Sequence, residues 1–350
     1  MHMADALISP AVGGIMWAAS VGAAAYSIKK TGNDIEQKKI PVMGVMGAFV
    51  FAAQMINFSI PMTGSSGHIG GGMLLSILLG PYAGFLTMAS ILAIQALFFA
   101  DGGLLAFGCN VFNMGFYTCF IAYPLIYRRI IRRGFSAGRI FTASILSAVI
   151  GLQLGAFSVV LQTLFSGKTE LPFAAFTLMM QPIHLAIGIV EGLITSAVVV
   201  FIWKARPEIV ERTAQGGPIG NISVKRVVAA LAVAAVITGG MLSWFASSYP
   251  DGLEWSVFNI NGNGEIESSG EVHSTMSDIQ SKTAFLPDYG FKAPEEGAQQ
   301  DAEGGGEAWP SVNAGTSVSG LVGGVMTLVL AALAGLAIAL IKRGKKAGAA

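Results

Sequence analysis

Long apolar stretches separated by short polar segments dominate the chain. A helix needs about 20 residues to cross a hydrocarbon core of about 30 Å, and eight runs come close to or exceed that length. They lie at 7–28, 41–60, 82–100, 104–127, 141–165, 177–203, 227–246 and 319–341. A ninth run, 69–80, is shorter. This pattern predicts an all-α integral membrane protein.

The basic residues fall into alternate loops if the short run also crosses and the chain hinges at Gly80-Pro81. With the amino terminus outside, 18 of the 21 Lys and Arg residues then face the cytoplasm, as the positive-inside rule requires. We therefore expect nine crossings, with the carboxyl terminus in the cytoplasm. No Lys or Arg precedes position 29, so the basic start of a cleavable signal peptide is missing and Met1 is expected to survive.

The spacing of the runs predicts two membrane units. Residues 1–205 would form a bundle of seven helices, 206–226 a cytoplasmic linker, 227–341 a unit of two helices, and 342–350 a basic cytoplasmic tail. The two later helices flank an extracytoplasmic segment at about 247–318. Between Ser247 and Ser317 this segment carries 12 acidic and two basic residues, and Pro294–Gly306 is typical of disorder. It is either a solubilising loop or an electrostatic funnel that concentrates cations.

Composition agrees with a membrane protein. Hydrophobic residues make up 53% of the chain and charged residues only 12%, about half the charged share of a soluble domain. A net charge of +1 and the lack of dense basic clusters argue against a nucleic-acid partner. Cys109 and Cys119 lie in one apolar run, so we interpret them as small core residues.

His2 gives the chain a possible metal chelator at its own start. The free amine of Met1, the backbone nitrogen of His2 and the Nδ1 atom of its ring can close two chelate rings around one ion. These atoms supply three corners of a square plane, the geometry that all-nitrogen ligands favour with Ni(II) or Cu(II). A chance Met-His start is the alternative.

His68 is the candidate for the fourth corner. It lies in a loop with Gly67, Gly70, Gly71 and Gly72, where glycine permits backbone conformations that other residues resist. The predicted topology places this loop on the same outer face as the amino terminus. A turn or interface role for His68 is the alternative.

A polar stripe follows one face of the seventh predicted helix, at three- and four-residue spacing. Its members are Gln181, His184, Gly188, Glu191 and Thr195. Ionisable groups in a membrane span are costly and usually face the bundle interior. We interpret His184 and Glu191 as a supporting shell that orients the His68 loop, and a buried hydrogen-bond network or direct ligation are the alternatives.

Small residues form a second stripe, on the second predicted helix. Gly44, Ala48 and Ala52 recur every four residues, the pattern that permits close helix contact in lipid. The stripe is either a docking surface for a membrane partner or an intramolecular packing face.

Three separated motifs together resemble the substrate-capture subunit of the cobalt and nickel transporters of the energy-coupling factor class. They are Met1–Leu7, Ser66–Gly72 with its histidine, and Gln181–Thr195. Pro250-Asp-Gly-Leu-Glu254 resembles the signature of the small accessory subunit of these transporters, fused here into the same chain. Asp5-Ala6-Leu7 departs from the family's usual start, which has a glycine two residues before the leucine or phenylalanine.

The resemblance implies that Met1, His2 and His68 bind Co(II) or Ni(II) as the transported ion, with no permanent cofactor. His184 and Glu191 match the family's pattern on the seventh helix. It also implies that the chain is a transport component and not an enzyme, in the plasma membrane of a prokaryote. The implied partners are a membrane coupling protein, the T component, which would dock at Gly44, Ala48 and Ala52, and two cytoplasmic ATPase subunits.

Two other functions stay open on the sequence. An ion-coupled secondary transporter would act without an ATPase, and a membrane metalloenzyme would use the same nitrogens, although a filled four-nitrogen cage leaves no position for a substrate. Cobalt and nickel both suit nitrogen ligands and stay open as alternatives.

Overall fold

The structure is a computed structural model, and it describes residues 2–31, 39–168, 170–217, 223–262, 266, 270–292 and 309–347. Two sequence predictions lie outside these residues: the amine of Met1 as a metal ligand, and disorder in Pro294–Gly306. The described chain is almost entirely helical, with one short two-stranded sheet.

The first unit contains a short 3₁₀ turn, Asp5–Leu7, followed by helices and a hairpin. These are α1 (Pro10–Thr31), α2 (Lys39–Gln54), β1 (Phe58–Ile60), β2 (Ser65–Gly67), α3 (Gly72–Leu79), α4 (Pro81–Phe98), α5 (Phe107–Ile131), α6 (Ala137–Phe165) and α7 (Phe173–Ala205). Residues Phe112–Tyr127 of α5 have π-helical hydrogen bonding.

The rest of the described chain adds five helices. They are α8 (Pro207–Gln215), α9 (Lys225–Gly240), α10 (Gly252–Asn261), α11 (Glu271–Thr283) and α12 (Ala314–Ala347). Short 3₁₀ turns lie at Leu242–Phe245 and Pro287–Tyr289. The predicted fold class, an all-α membrane protein with a capture bundle and two further helices, is confirmed.

Six of the described helices are long and apolar enough to cross a membrane alone: α1, α4, α5, α6, α7 and the Ala314–Ile341 part of α12. The apolar run 41–60 was expected to be one helix, but α2 ends at Gln54 and the run continues into β1. Phe58 pairs with Gly67 and Ile60 with Ser65, through a tight turn in which Met62 and Gly64 have φ values of 66° and 72°.

The run 69–80 forms only eight residues of helix in α3, about 12 Å at 1.5 Å per residue. The chain nevertheless continues through the bundle, because Gly80 lies beside Lys39 and Thr213 at the end opposite the hairpin. Gly80 has φ 79° and Pro81 begins α4, so the hinge is where the sequence predicts it. The chain thus runs through this part of the bundle as an irregular segment followed by the short helix α3.

The later helices pack against the first unit. A Cβ built on Gly44 of α2 would lie 2.9 Å from the carbonyl oxygen of Leu328 on α12, and Gly324 faces Ala48. Ala48 and Ala52 are buried. The proposed docking stripe is therefore covered by the chain's own α12, and a separate coupling protein has no access to it in this arrangement.

The predicted linker is partly ordered. Pro207–Gln215 forms α8, whose Ile209 and Val210 are buried. The hydroxyl of Thr213 is 3.3 Å from the carbonyl oxygen of Leu78 at the end of α3. Apolar residues at 209 and 210 stabilise a helix packed across the bundle end, which the overall polarity of the segment concealed.

Candidate metal-capture site

The amino-terminal segment is anchored in the bundle by both its backbone and its side chains. The N–H of Met3 donates to Oδ1 of Asn110 at 2.7 Å, and the amide of Asn110 donates back to the Met3 carbonyl at 3.2 Å. The side chain of Met3 is fully buried. Asp5 accepts a 2.9 Å hydrogen bond from the N–H of Ala106, at the start of α5. The unusual Asp5 therefore caps a neighbouring helix and keeps the segment in place.

The ring of His2 is held by two side chains near the end of α4. Its Nε2 is 3.2 Å from Oε1 of Gln95, and its Nδ1 is 3.2 Å from Oδ1 of Asp101. The amide nitrogen of Gln95 donates to Gln54 at 2.9 Å, so the oxygen of Gln95 faces His2. Both neighbours of the ring are hydrogen-bond acceptors, and a neutral imidazole carries one N–H, so the two contacts hold the ring without fixing its tautomer. The predicted chelate requires the lone pair on Nδ1.

His68 lies directly beside His2. The two ring centroids are 5.2 Å apart with an interplanar angle of 20°, although 65 residues separate them in the sequence. Nδ1 of His68 is 3.0 Å from the carbonyl oxygen of Ile69, which can only accept, so Nδ1 carries the proton and Nε2 is free to ligate. Burial lowers the pKa of His68 to about 4, and its ring is neutral near pH 7. The pKa of His2 is also lowered by burial, against the opposing pull of Asp101.

Glu191 on α7 fixes the loop that carries His68. Its carboxylate accepts hydrogen bonds from the N–H of Gly70 at 2.7 Å and of Gly71 at 3.1 Å. On the other side, Gln54 donates to the Gly70 carbonyl at 2.8 Å. Gly71 has φ 78°, a conformation that glycine adopts without strain. Glu191 therefore holds the loop through two of its N–H groups, and Gln54 holds it through one of its carbonyl groups.

His184 lies on the same face of α7 as Glu191, about two turns nearer the start of the helix. Its side chain is fully buried. Its Nδ1 is 2.8 Å from the carbonyl oxygen of Met180 in the same helix, whereas its Nε2 has no hydrogen-bond partner. It does not hold the loop through a hydrogen bond, as Glu191 does. Instead it lines a small cavity of about 10 Å³ together with Gly67, His68 and Asp251.

The later unit contributes directly to this region, which the sequence did not reveal. The N–H of Ser66 donates to the carbonyl oxygen of Pro250 at 2.8 Å, and the hydroxyl of Ser66 donates to the backbone carbonyl oxygen of Tyr249 at 2.7 Å. Asp251 caps α10 by accepting from the N–H groups of Leu253 and Glu254 at 2.7 and 2.9 Å. The D-x-x-E spacing predicts the start of a helix. It does not predict that this helix start lies under the His68 loop.

Gly252 permits this close approach. A Cβ at Gly252 would lie 2.5 Å from Cγ2 of Ile183 and 3.4 Å from Cε1 of His184. The glycine of the Pro-Asp-Gly-Leu-Glu motif thus lets the start of α10 pack onto α7 beside the buried histidine.

A second contact comes from Tyr289. Its hydroxyl donates a short hydrogen bond to Oδ2 of Asp101 and receives a 3.3 Å hydrogen bond from Gln95. The two residues that hold the His2 ring are therefore also bound by the later unit.

An outer cavity of about 630 Å³ opens above the two stacked imidazoles. Its lining includes His2, His68 and five carboxylate side chains: Asp5 and Asp101 from the first unit, and Asp251, Glu254 and Asp288 from the later unit. Within the described residues, no three His, Cys, Asp or Glu side chains already converge as a metal site. The amine of Met1, the remaining predicted donor, lies outside them.

The fold defines a multi-pass membrane protein, and the comparisons with known proteins identify the class as metal transporters. The family described as cobalt uptake substrate-specific transmembrane region (CbiM) matches residues 2–209, and the PDGLE domain matches residues 225–340. The chain belongs to the CbiM family, as a substrate-capture component fused to a PDGLE domain, and it serves metal uptake.

Curated relatives agree with this assignment. The chain is 37% identical over 229 residues to a putative fused nickel transport protein (NikMN) of Archaeoglobus fulgidus, covering 65% of this chain and 74% of that protein. It is 29% identical over 252 residues to the fused nickel transport protein NikMN of Rhodobacter capsulatus, covering 67% and 71%. It is also 30% identical over 176 residues to the cobalt transport protein CbiM of Sorangium cellulosum, covering 49% and 76%.

A crystal structure described as a truncated transition metal transporter has a similar fold. It superimposes with a TM-score of 0.52 at 30% sequence identity, covering 59% of this chain and 99% of that one. The likeness supports the bundle as a metal-transport fold.

Proposed function

We propose that the chain captures Co(II) or Ni(II) outside the cell as the substrate-binding component of an ATP-driven energy-coupling factor transporter. The ligands are the amine of Met1, the backbone nitrogen and Nδ1 of His2, and Nε2 of His68. The observation that carries the proposal is the stacking of His2 on His68 at 5.2 Å. It brings together two imidazole rings at the floor of the outer cavity, and the hydrogen bond from Nδ1 of His68 to Ile69 leaves Nε2 of that ring for a metal.

The surrounding residues support this role. Gln95 and Asp101 hold the ring of His2, and Glu191 positions the loop of His68 from below. Such outer partners fix ring orientation and raise the basicity of metal ligands. Four nitrogen donors favour Co(II) or Ni(II) and disfavour Mg(II) and Ca(II), which prefer oxygen.

The proposed orientation follows from charge. With the amino terminus outside, the outer cavity with its carboxylates faces the source of the ion, and the basic ends of α1, α5 and α7 face the cytoplasm. A membrane coupling protein and two cytoplasmic ATPases, proposed from family membership, would then drive inward release.

Metal analysis of the purified chain tests the proposal. We expect one Ni(II) or Co(II) per chain to survive gel filtration, and tight binding to be lost when one extra residue precedes Met1, because the amine then moves out of the chelate. An Asn259→Ala variant, altered on the exposed face of α10, is the matched control and keeps the metal. Tight binding by the extended chain would contradict the proposed ligands.

A further inference from the structure

The inner cavity beneath His68 has a lining suited to a cation. Its polar side chains are His68, His184 and Asp251. The Nδ1 atom of each histidine is used on a backbone carbonyl oxygen, of Ile69 and of Met180. The lone pair of Nε2 is therefore free in both rings, and the carboxylate of Asp251 adds a negative charge. Two imidazole lone pairs beside a carboxylate form a lining that suits a cation.

His184 is the independent sign that something binds there. Its side chain is 0% exposed, and its Nε2 has no hydrogen-bond partner. An unsatisfied buried polar atom costs about 1–3 kcal/mol, and such atoms are rare unless they serve a water, an ion or a function. A ring held through Nδ1 by a carbonyl oxygen, with Nε2 free, is also the usual arrangement of a metal-ligating histidine.

The size of the cavity decides the form of the ion. About 10 Å³ is close to the space of one water-sized sphere, so a bare ion fits and a hydrated one does not. The ion must arrive by ligand exchange from a neighbouring site. His68 and Asp251 line both the inner and the outer cavity, which makes His68 the shared ligand.

We propose a second, inner station for the transported divalent transition metal ion, formed by Nε2 of His68, Nε2 of His184 and the carboxylate of Asp251. The inference rests on the proposed function, because the ion is the one that the amino-terminal cage captures. The three side chains line the cavity without converging on one point, so the station binds more weakly than the outer cage. A weaker inner station allows the ion to move on, as binding along a conduction path requires.

Sharing of His68 makes the two sites mutually exclusive. The wild-type chain therefore holds one ion, in the outer cage. Blocking the outer cage is the way to expose the inner station, and one extra residue before Met1 achieves this while the side chains of His68, His184 and Asp251 are retained.

The test is a titration of the extended full-length chain with CoCl₂ in detergent, followed by visible absorption. We expect one Co(II) per chain, bound at least about 100-fold more weakly than by the wild type. Its d–d bands should be intense, because two imidazoles and a carboxylate in a closed cavity give a site of low coordination number without a centre of symmetry, unlike the planar outer cage. Adding His184→Leu to the extended chain should weaken this binding at least about tenfold and remove the intense bands.

Two further variants test whether His184 and Asp251 are the ligands. Ser196→Ala in the extended chain changes another buried polar residue of α7 and should leave the titration unchanged. Asp251→Asn keeps a side-chain oxygen to cap α10 but removes the charge, and it should weaken binding several-fold even if His184→Leu fails to fold.

The outcomes separate the two proposals. An extended chain that binds no Co(II), or that binds it equally well without His184, overturns the inner station. A wild-type chain without tight binding overturns the amino-terminal cage instead, and the titration of the extended chain still reports on the inner station.

Discussion

The outer and inner cavities share His68 and Asp251, yet they differ in size, about 630 Å³ against about 10 Å³. A hexahydrated ion occupies roughly 180 Å³, at about 30 Å³ for each water, so only the outer cavity admits it. The outer lining is rich in carboxylates that attract a hydrated cation. The inner lining is closed by Gly67, Ile187 and Gly252, and it includes the buried Nε2 atom of His184, which has no hydrogen-bond partner. The difference assigns ion collection to the outer region and dehydration to the boundary at His68.

Removing the support of the His68 loop should have the largest effect. In Glu191→Ala the N–H groups of Gly70 and Gly71 lose their acceptor, and the loop loses its fixed position below His2. We expect metal affinity to fall by about 10- to 100-fold, as for other outer partners of metal ligands. Equilibrium competition with a chromophoric chelator measures the change.

Glu191→Gln is the informative control, because its amide oxygen can still accept one of the two hydrogen bonds. An affinity between those of the wild type and of Glu191→Ala is expected. Unchanged affinity in Glu191→Ala would show that the boundary between the two cavities does not depend on the carboxylate.

Acidification should weaken capture in the outer cavity. The terminal amine has an ordinary pKa of about 7.7–8.0 and must lose its proton to bind, and the backbone amide of His2 must lose its proton as well. Affinity should therefore fall by up to about 100-fold for each pH unit below that range. The pKa of His68 is lowered to about 4. Its ring is neutral above that value, and it should not add to the loss between pH 8 and pH 5.

The pH profile of Ni(II) affinity, measured by isothermal titration, checks this prediction. A second loss of affinity near pH 6.5, where an ordinary histidine titrates, would contradict a buried His68 in the outer site.

Gly252→Ala should disturb the inner side. The new Cβ would lie 2.5 Å from Cγ2 of Ile183, and such overpacking costs about 1–3 kcal/mol. We expect a lower thermal midpoint and faster proteolysis between α9 and α12. Gly14→Ala on α1, where a Cβ meets nothing within 4 Å, is the matched control, and equal stability of both variants would contradict the close packing of α10 on α7.

Tyr289→Phe should have the smallest effect. The variant loses the hydrogen bonds to Asp101 and Gln95 but keeps the ring against Phe99, 5.1 Å away between centroids. A change of a few-fold in the rate of metal binding is expected, since one hydrogen bond contributes about 0.5–1.5 kcal/mol. Stopped-flow quenching of tryptophan fluorescence by the metal measures the rate, and a change above tenfold would show that Tyr289 does more than orient Asp101.

Much of the fold could be predicted from the sequence, because membrane helices are recognised by the length and the apolar composition of their segments. The runs 141–165 and 177–203 lie within α6 and α7, and Glu191 and His184 are buried as their spacing indicates. The early end of α2 was not predicted, because the apolar residues at 55, 56, 58 and 60 continue the run without Gly or Pro to mark a break. Their strand pairing depends on Ser65–Gly67, which lies beyond a turn.

The candidate site was predictable only in part, for a physical reason. Short motifs with unusual chemistry identify His2 and His68, and the structure places them together. Asp251 pairs with Ser66, and Tyr289 with Asp101, although more than 180 residues separate the members of each pair in the sequence. Such contacts depend on how two units pack, and no local spacing encodes them.

X-ray absorption spectroscopy of the Ni(II)-loaded wild-type chain tests the central claim most directly. A planar cage built from the amine, one backbone nitrogen and two imidazoles predicts four nitrogen neighbours, with the outer-shell scattering of two imidazole rings and the pre-edge feature of a square plane. A six-coordinate spectrum dominated by oxygen, or one without two imidazoles, would contradict it.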